Sequence, residues 1–487
     1  MQAVSGGDGR GSLAIVLHTH MPYVEGFGTW PFGEEWLWEA IAGCYMPLAD
    51  LLDDGAPLTL SLTPVLCDQL EVPGLAERFA KFVQEVRAST HADDAAGLRA
   101  GGFPELGAEV ERAYGDYTGA LDSLTRRGSD LLGALGRHAQ WTSSATHAVL
   151  PLLATDTGVR LQVQTGVRAH RSRFDGDWRG GFWLPECAYA PWLERALEDA
   201  GVTAVCVELT ERFGLGSNEH LRPIATESGV LLVPIDRSTM SLVWSDGGYP
   251  AAGPYRDYHH HTVHHHNPWN NAGEPYDHEQ ALALAREHAA DFVTRVRDRL
   301  DSASEAAAGD GGTQPPLLVC ALDTELFGHW WYEGVKWLRA VVAECSRQGV
   351  ELQRLDDALA RLEPLPADVE QEARQWQACT WGAGGDLSTW SAPAVAEMAF
   401  AARAAELSVL AASGGASTAA IRQLLALQAS DWPFMVSRDI AVPYARERFQ
   451  GHADALQRAL NGGGGEDVGA LRNLAVHADR SSLLVPL

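Results

Sequence analysis

The stretch Leu317-Leu-Val-Cys-Ala-Leu-Asp323, followed at once by Thr-Glu-Leu-Phe-Gly-His-Trp-Trp331, decides how this chain folds. Its first six residues are an unbroken apolar run, which is typical of a parallel strand buried on both faces. The run ends in a carboxylate, Asp323, and aromatic residues follow. A buried strand that delivers an acid at its carboxyl end predicts chemistry at one edge of a sheet or barrel.

A second stretch, Gly181-Phe-Trp-Leu-Pro-Glu-Cys-Ala-Tyr189, also combines an apolar run with a carboxylate at its end. An apolar run ends at Pro185, and a single carboxylate, Glu186, comes directly after it. Trp183 and Tyr189 flank this acid with flat apolar faces of the kind that stack against sugar rings. Two acids at the ends of two buried strands predict a barrel with a two-carboxylate site at one face.

Further apolar runs alternate with helical patterns along the chain. Strand candidates lie at residues 12–17, 58–62, 203–208 and 229–235. This alternation favours a parallel α/β architecture. Residues from about 85 to 138 are polar and helical in pattern, and we interpret them as a helical insertion in the barrel.

The domain organisation follows from composition. Residues 1–11 are Gly-rich and predict a disordered tail, residues 12–365 the barrel, and residues 366–487 an Ala/Leu-rich helical domain. Residues 302–316, rich in Ala, Gly and Asp, read as a flexible connection. Two prolines between residues 363 and 368 suit a domain boundary.

Composition restricts the class of partner. The 487 residues carry a formal net charge of −27, which argues against nucleic acid or an anionic membrane, whereas a neutral glucan imposes no such demand. No run approaches the roughly 20 apolar residues of a membrane span, and the N-terminus lacks the apolar segment of a signal peptide. Seven scattered cysteines without a CxxC pair predict free thiols in a reducing cytoplasm.

Six histidines crowd the irregular segment between residues 249 and 276, at positions 259–261 and 264–266. Metal sites in proteins usually combine spaced ligands with ordered supporting groups, and this segment resembles a homopolymer instead. We therefore predict adventitious metal binding here, and neither a physiological metal nor a cofactor for the protein.

Five stretches in order resemble the motifs of glycoside hydrolase family 57, and are most similar to its 1,4-α-glucan branching enzyme subgroup. They are His18-Thr-His20-Met-Pro, Trp141-Thr-Ser-Ser-Ala-Thr-His147, Trp183-Leu-Pro-Glu-Cys187, Asp323-Thr-Glu-Leu-Phe-Gly-His-Trp-Trp331 and Ser430-Asp-Trp-Pro-Phe-Met435. The resemblance extends from about residue 12 to about residue 450.

This resemblance implies an incomplete (β/α)7 catalytic barrel at residues 12–365, a C-terminal helical domain at residues 366–487 that completes the glucan cleft, and a retaining reaction on α-1,4-glucans such as amylose or glycogen. By motif, Glu186 would be the nucleophile and Asp323 the general acid/base. A retaining glycosidase needs one ionised carboxylate that attacks the anomeric carbon and one protonated carboxyl group that releases the leaving oxygen. We interpret Glu325, two residues beyond Asp323, as a supporting or surface carboxylate.

The resemblance also implies a set of substrate-binding residues. His18, His20 and His147 would surround the scissile sugar and help to keep Glu186 ionised. The remaining candidates are aromatic or acidic residues of the motifs and of Gly-rich loops: Trp183, Trp244, Phe327, Trp381, Trp390, Asp431 and Trp432.

One departure from the subgroup keeps alternatives open. Branching members carry a long loop with an aromatic tip after the third motif, but here residues 211–236 form a short stretch whose only aromatic residue is Phe213. A hydrolase or 4-α-glucanotransferase of the same family therefore remains an alternative. Two further alternatives are a metal-dependent deacetylase-like enzyme with His18, His20 and Asp323 as ligands, and a non-catalytic glucan-binding protein.

Overall fold

Ten strands form one curled sheet in the computed structural model of the chain. The strands are β1 (Ser12–Thr19), β2 (Thr59–Leu62), β3 (Ala139–Ser143), β4 (Gly181–Trp183), β5 (Ala204–Val207), β6 (Ile224–Ala225), β7 (Leu231–Pro234), β8 (Leu317–Asp323), β9 (Glu351–Leu352) and β10 (Leu365–Pro366). The structure describes residues 11–28, 32–174, 176, 178–309, 314–366, 378–412, 415–462, 471 and 473–483. The predicted N-terminal tail, apart from residue 11, lies outside these residues.

Seven of the strands make the incomplete (β/α)7 barrel that the sequence predicted. The sheet order is β10-β6-β7-β5-β4-β3-β2-β1-β8, and β1 to β5, β7 and β8 pair in parallel. Only the two-residue β6 runs antiparallel, against β7. The backbone N–H of Asp236, just beyond β7, donates to the Val319 carbonyl of β8 at 2.9 Å. This bond links the end of β7 to β8, two strands that do not pair with each other in the sheet.

The long strands are apolar throughout because both of their faces are covered. All eight residues of β1 are buried, as are the first six of the seven residues of β8. Neither strand shows the alternation of a half-exposed strand, which agrees with a parallel sheet under helices. Their register pairs His18 with Asp323, so their carboxyl ends lie side by side.

Helices connect the strands. Those of the barrel part are Glu34–Ala40, Met46–Asp53, Pro64–Leu70, Leu75–Lys81, Ala88–Ala100, Pro104–Arg126, Leu131–Gly136, Asp156–Arg173, Glu194–Asp199, Thr210–Phe213, Arg237–Met240, His278–Gly309, Gly334–Gln348 and Leu355–Leu359. Five of them, from Pro64 to Gly136, separate β2 from β3 and contain the segment predicted as an insertion. Phe79 and Phe82 of this region are fully buried in the barrel core, so it packs tightly on the sheet.

The C-terminal part is helical. Its helices are Ser388–Ser391, Ala396–Leu410, Thr418–Leu427, Asp431–Ser437 and Val442–Leu460. The last four of them share one apolar cluster with Tyr23, Val65 and Leu161 of the barrel part, while Trp390 of the first packs with Val149 and Ala188. This packing explains how C-terminal side chains reach the barrel edge, although the predicted boundary near residue 365 stays a prediction.

The prediction of a flexible connection at residues 302–316 is wrong for residues 302–309. The helix His278–Gly309 continues through it. The run Ala303-Ser-Glu-Ala-Ala-Ala308 consists largely of good helix formers, and the buried side chain of Ala303 anchors it. None of the described helices combines the length and apolar composition that a membrane crossing needs.

Candidate active site

The motif residues meet at the carboxyl edge of the barrel. His18 and Asp323 lie side by side at the ends of β1 and β8. His147 follows β3, and Glu186 follows β4, the next strand in the sheet. Because the carboxyl ends of parallel strands share one edge, residues far apart in sequence converge there.

Glu186 sits on a backbone that L-residues rarely adopt. Its φ is 62° and its ψ 21°, and Cys187 after it has a φ of 49°. Two residues of the segment before the C-terminal helices hold this turn. The Thr380 hydroxyl donates to the Glu186 carbonyl at 2.6 Å, and the backbone N–H of Trp381 donates to the same oxygen at 3.2 Å. Backbone strain that is held in this way is concentrated at functional sites.

The Glu186 carboxylate accepts two side-chain hydrogen bonds. The indole Nε1–H of Trp381 donates to Oε2 at 3.0 Å, and the Ser430 hydroxyl donates to Oε1 at 3.2 Å. Burial raises the pKa of Glu186 above its ordinary value, while these two bonds and the nearby His20 oppose the rise. The two donors therefore favour the ionised form, as a nucleophile requires.

A chain of hydrogen bonds leads from Glu186 back to β1. Ser430 Oγ lies 2.8 Å from His147 Nδ1, and His147 Nε2 lies 2.9 Å from His18 Nε2. Burial lowers the pKa of both histidines well below its ordinary value, so both imidazoles are neutral. One assignment of tautomers satisfies every bond: His18 donates to His147, His147 donates to Ser430, and Ser430 donates to Glu186.

His20 has the opposite charge state. Its Nε2 lies 2.9 Å from Asp431 Oδ1, and its ring stacks on His147 at 3.9 Å. Burial alone would lower the pKa of His20, but the charge and hydrogen bond of Asp431 raise it above its ordinary value. Asp431 therefore favours the protonated form of His20, whose positive charge lowers the pKa of Glu186. Asp431 belongs to the C-terminal helix Asp431–Ser437, so that helix contributes to the electrostatics of the site.

Asp323 lies in a different environment from Glu186. Among the residues that the structure describes, none donates a hydrogen bond to its carboxyl group. Burial, and then the charges of Glu325 and Glu186, raise the pKa of Asp323 well above its ordinary value. Asp323 therefore favours its protonated form, whereas the two donors at Glu186 oppose protonation of that carboxylate. Two carboxyl groups whose pKa values are separated in this way have the features of a general acid and a nucleophile.

Glu325 is a supporting carboxylate and not a surface one. It is 9% exposed, and its Oε1 accepts from the Tyr45 hydroxyl at 2.7 Å and from the His20 backbone N–H at 3.1 Å. Burial raises its pKa to about 7. These bonds hold the backbone at His20, and both are accepted by the same oxygen of the Glu325 carboxyl group.

Comparison with known proteins identifies the family. A profile of glycosyl hydrolase family 57 matches residues 136–367, and a profile of the C-terminal domain of 1,4-alpha-glucan branching enzymes matches residues 393–475. A Mycobacterium tuberculosis protein named as a probable 1,4-alpha-glucan branching enzyme is 32% identical over 512 residues, covering 92% of this chain and 91% of that protein. The chain belongs to glycosyl hydrolase family 57.

Two crystal structures of family 57 proteins share its fold. The branching enzyme of Pyrococcus horikoshii superimposes with a TM-score of 0.86 at 28% identity, covering 98% of this chain and 97% of that one. The branching enzyme of Thermococcus kodakaraensis, solved with glucose and additives, gives a TM-score of 0.84 at 30% identity, covering 98% and 96%. The likeness therefore includes the barrel and the C-terminal helices together.

The tryptophans predicted to bind substrate differ in how much of the ring is exposed. Trp381 packs edge-on against Trp183, with ring centroids 5.1 Å apart, and against Trp244 at 4.8 Å. Trp244 is 42% exposed and can present its ring to a ligand. Trp183 has no exposed surface and stacks on His18 at 4.4 Å, so it orients the histidine from behind.

Three other predicted substrate residues are buried away from solvent. Trp432 has no exposed surface and donates its indole N–H to the Ala426 carbonyl at 2.9 Å inside the helical core. Phe327 is 1% exposed and stacks parallel to Trp337 in the barrel core, and Trp390 is 2% exposed. None of these three rings has more than 2% of its surface exposed, so their contact with a substrate stays a prediction.

Ser430, Thr380 and Tyr45 were not singled out from the sequence. Each acts through a partner about 190 to 280 positions away, on a spacing that carries no local pattern. A weak signal existed for two of them, since Ser430 precedes Asp431 and Thr380 precedes Trp381. Residues directly next to a predicted site residue in the sequence are therefore candidates for contacts with the same substrate or nucleophile.

The histidine-rich segment docks on the helical region between β2 and β3. Asp94 of the helix Ala88–Ala100 accepts from His264 Nδ1 at 2.7 Å and from His266 Nδ1 at 2.8 Å. His260 stacks on Trp269 with ring centroids 3.8 Å apart. Within the described part of the chain, no group of three or more His, Cys, Asp and Glu residues is arranged to hold a metal ion.

Proposed function

We propose that this chain is a retaining 1,4-α-glucan branching enzyme, which cleaves α-1,4 bonds and forms α-1,6 bonds in glycogen or a related glucan. The observation that carries the proposal is the contrast between the two carboxyl groups at the barrel edge. Trp381 and Ser430 donate to Glu186 and oppose the rise in its pKa that burial causes, whereas burial and the charges of Glu325 and Glu186 raise the pKa of Asp323 well above its ordinary value. Membership of family 57 and the match to a branching enzyme C-terminal domain support the choice of reaction.

In the first step, the Glu186 carboxylate attacks the anomeric carbon of the bound sugar and the α-1,4 bond breaks. Asp323 gives its proton to the leaving glycosidic oxygen, so the remaining chain departs as a neutral alcohol. The product is a glycosyl ester on Glu186. Asp431 raises the pKa of His20, and positive charge on His20 favours the ionised carboxylate before the attack.

In the second step, Asp323 acts as a base. It takes the proton from the 6-hydroxyl of an acceptor glucan, whose oxygen attacks the anomeric carbon and displaces Glu186. Two displacements at the same carbon retain the α configuration. The new bond is α-1,6, and no cofactor is consumed because both substrates are sugars.

The partner that follows is a neutral α-glucan such as amylose or glycogen. A formal net charge of −27 disfavours nucleic acid and anionic lipid surfaces. We further propose that the protein works in the cytoplasm. Its seven cysteines are free thiols, six of them buried, which suits a reducing compartment.

Proton NMR of amylose after incubation with the protein tests this function. We expect the α-1,4 signal to fall while an α-1,6 signal appears, and Glu186→Gln to abolish both changes. The exposed Glu198→Gln, on the helix Glu194–Asp199, serves as a matched control of the same chemical change. A digest that loses α-1,4 signal and gains only reducing ends would contradict branching.

An α-glucan hydrolase or 4-α-glucanotransferase is the second candidate, favoured by the short loop after β5. Residues 211–236 begin within the helix Thr210–Phe213 and include a turn at Asn218–Leu221, and Phe213 packs edge-on against His220 at 5.6 Å. Apart from Phe213, which packs on His220, residues 211–236 offer no large aromatic side chain that could close over the acceptor side. Because exclusion of water decides between transfer and hydrolysis, we propose that branching is accompanied by substantial hydrolysis.

A further inference from the structure

Glu208 is a third carboxylate at the carboxyl edge of the barrel. It directly follows β5, and only 6% of its surface is exposed. The sheet order places β5 between β7 and β4, the strand that precedes Glu186. A buried carboxylate is costly unless hydrogen bonds or an ion pair compensate for its desolvation. The partners of Glu208 therefore indicate what it does at this edge.

Each of the two Glu208 oxygens has a partner. Oε1 accepts from the backbone N–H of Thr210 at 2.7 Å, and Oε2 accepts from Arg237 Nη1 at 3.2 Å. Arg237 is the first residue of the helix Arg237–Met240, which begins shortly after β7. The ion pair therefore connects the ends of two neighbouring strands. Because the Thr210 bond fixes the carboxylate, the carboxylate in turn fixes the position of the guanidinium.

The guanidinium of Arg237 also reaches the loop that contains Trp381. Nη1 donates to the Trp381 backbone carbonyl at 3.0 Å, so one nitrogen contacts both Glu208 and Trp381. Trp381 lies outside the regular helices and strands, and Gly382 follows it. Such backbone has no hydrogen-bond ladder of its own, and glycine adds conformational freedom. Hydrogen bonds from other elements therefore decide how the Trp381 backbone is oriented.

Trp381 transmits this orientation to Glu186. Its backbone N–H donates to the Glu186 carbonyl at 3.2 Å, and its indole Nε1–H donates to Glu186 Oε2 at 3.0 Å. Arg237 holds the carbonyl of the same tryptophan. Hydrogen bonds weaken steeply when they bend or lengthen, so a rotation of the Trp381 backbone would weaken the indole bond.

We propose that Arg237 and Glu208 are positioning residues, which fix the Trp381 backbone so that its indole N–H stays aligned with the Glu186 carboxylate. The inference rests on the proposed role of Glu186 as the nucleophile. It adds a specific cause for the alignment, which is the ion pair between the ends of β5 and β7. Loss of either member of this pair should weaken the indole bond without removing it.

The groups that face Glu186 are left in place by substitutions at Arg237 or Glu208. They are Trp381, Ser430, His147, His20, Asp431 and Asp323. Burial, the indole bond and then the charges of Asp431 and His20 are the main influences on the pKa of Glu186. A substitution in the ion pair should therefore change that pKa mainly through the indole bond.

The resonance of the Trp381 indole proton tests the proposal without turnover. In the full-length protein with ¹⁵N-labelled tryptophan, the resonance is assigned by its absence in Trp381→Phe. Its shift with pH is attributed to Glu186 by comparison with Glu186→Gln. We expect the midpoint of this titration to rise by about 0.5–1 pH unit in Arg237→Met, because a weakened donor stabilises the anion less. Arg195→Met, exposed on the helix Glu194–Asp199, should leave the midpoint unchanged.

A second variant, Glu208→Met, separates positioning from charge. By charge alone, loss of the carboxylate would lower the pKa of Glu186, whereas loss of the guanidinium would raise it. Positioning predicts that the midpoint rises in both variants, because either substitution releases the Trp381 carbonyl. The Arg237 side chain is 42% exposed, so Arg237→Met leaves no buried hole and gives a result even where Glu208→Met does not fold.

A double-mutant cycle on the acid limb of kcat/KM for amylose is the second test. Trp381→Phe already lacks the indole donor, so adding Arg237→Met to it should produce no further shift of the limb. In the wild-type background, Arg237→Met should raise the limb by as much as it raises the NMR midpoint. The NMR titration decides the positioning role even if no α-1,6 bonds form, so this inference and the proposed function fail separately.

Four results would overturn the proposal. The first is an unchanged midpoint in Arg237→Met; together with a raised KM for amylose, it would assign Arg237 to substrate contact. The second is a pair of opposite shifts in Arg237→Met and Glu208→Met, which charge alone would produce. The third is a full additional shift from Arg237→Met in the Trp381→Phe background. The fourth is an indole titration that persists in Glu186→Gln.

Discussion

Replacing Trp381 by phenylalanine should move the acid limb of the pH–rate profile upward. The substitution removes the indole N–H that donates to Glu186 Oε2 at 3.0 Å, and it keeps a ring against Trp183 and Trp244. A hydrogen bond to a charged group contributes about 1.5–3 kcal/mol. At about 1.4 kcal/mol per pKa unit, its loss should raise the pKa of Glu186 by roughly one to two units.

The assay is the pH dependence of kcat/KM for amylose, whose acid limb reports the ionisation of the nucleophile in the free enzyme. The sign follows from the chemistry, because a donor that stabilises the anion lowers its pKa and removal of that donor raises it. Trp244→Phe is the control, since Trp244 packs on Trp381 and makes no bond to Glu186. An acid limb that stays in place in Trp381→Phe would refute the role assigned to the indole.

Three further perturbations have defined outcomes. Asp323→Asn should reduce turnover of amylose by about 100- to 10,000-fold, because it removes the general acid, yet fluoride release from an α-glycosyl fluoride should be far less affected; an equal loss on both substrates would contradict the assignment. Burial lowers the pKa of His266 to about 4, so the folded protein favours the neutral imidazole. The contribution of His266 to the free energy of unfolding is complete above pH 6.5. It falls by about 2 kcal/mol at pH 5, because the unfolded chain then binds more protons than the folded one. His266→Asn should therefore show a smaller drop in Tm between pH 7 and pH 5 than the wild type, and parallel Tm curves would exclude this origin. A longer loop with a tyrosine at its tip, grafted between Phe213 and His220, should lower the number of reducing ends per α-1,6 bond, and an unchanged ratio would show that this loop does not control access of water.

The strands and their acids were predictable because buried parallel strands leave a direct trace in the sequence. The runs that became β1 and β8 are apolar at nearly every position, and residues at their carboxyl ends share one edge of the barrel by geometry alone. His18, His147, Glu186 and Asp323 therefore follow from strand positions together with the family motifs. The alternation of the remaining runs with helices was enough for the fold class.

Side-chain environments were less predictable. An aromatic residue in a motif can face the cleft or fill the wall behind it, and Trp244 and Trp432 look alike until burial separates them. The bridge from His147 through Ser430 to Glu186 joins three distant segments, and only the packed tertiary structure aligns them. The helix continues through residues 302–309, where the side chain of Ala303 is buried. The Gly and Asp residues of this segment favoured a flexible connection, so the sequence did not predict the continuation.

Trapping of the glycosyl-enzyme tests the central claim most directly. The protein is incubated with a 5-fluoro α-glycosyl fluoride, which forms the ester quickly and hydrolyses slowly, and is then digested and sequenced by mass spectrometry. The account predicts one added glycosyl group, located on Glu186 and absent in Glu186→Gln. A label on Asp323 or Glu325, or an unlabelled enzyme that nevertheless converts amylose, would contradict it.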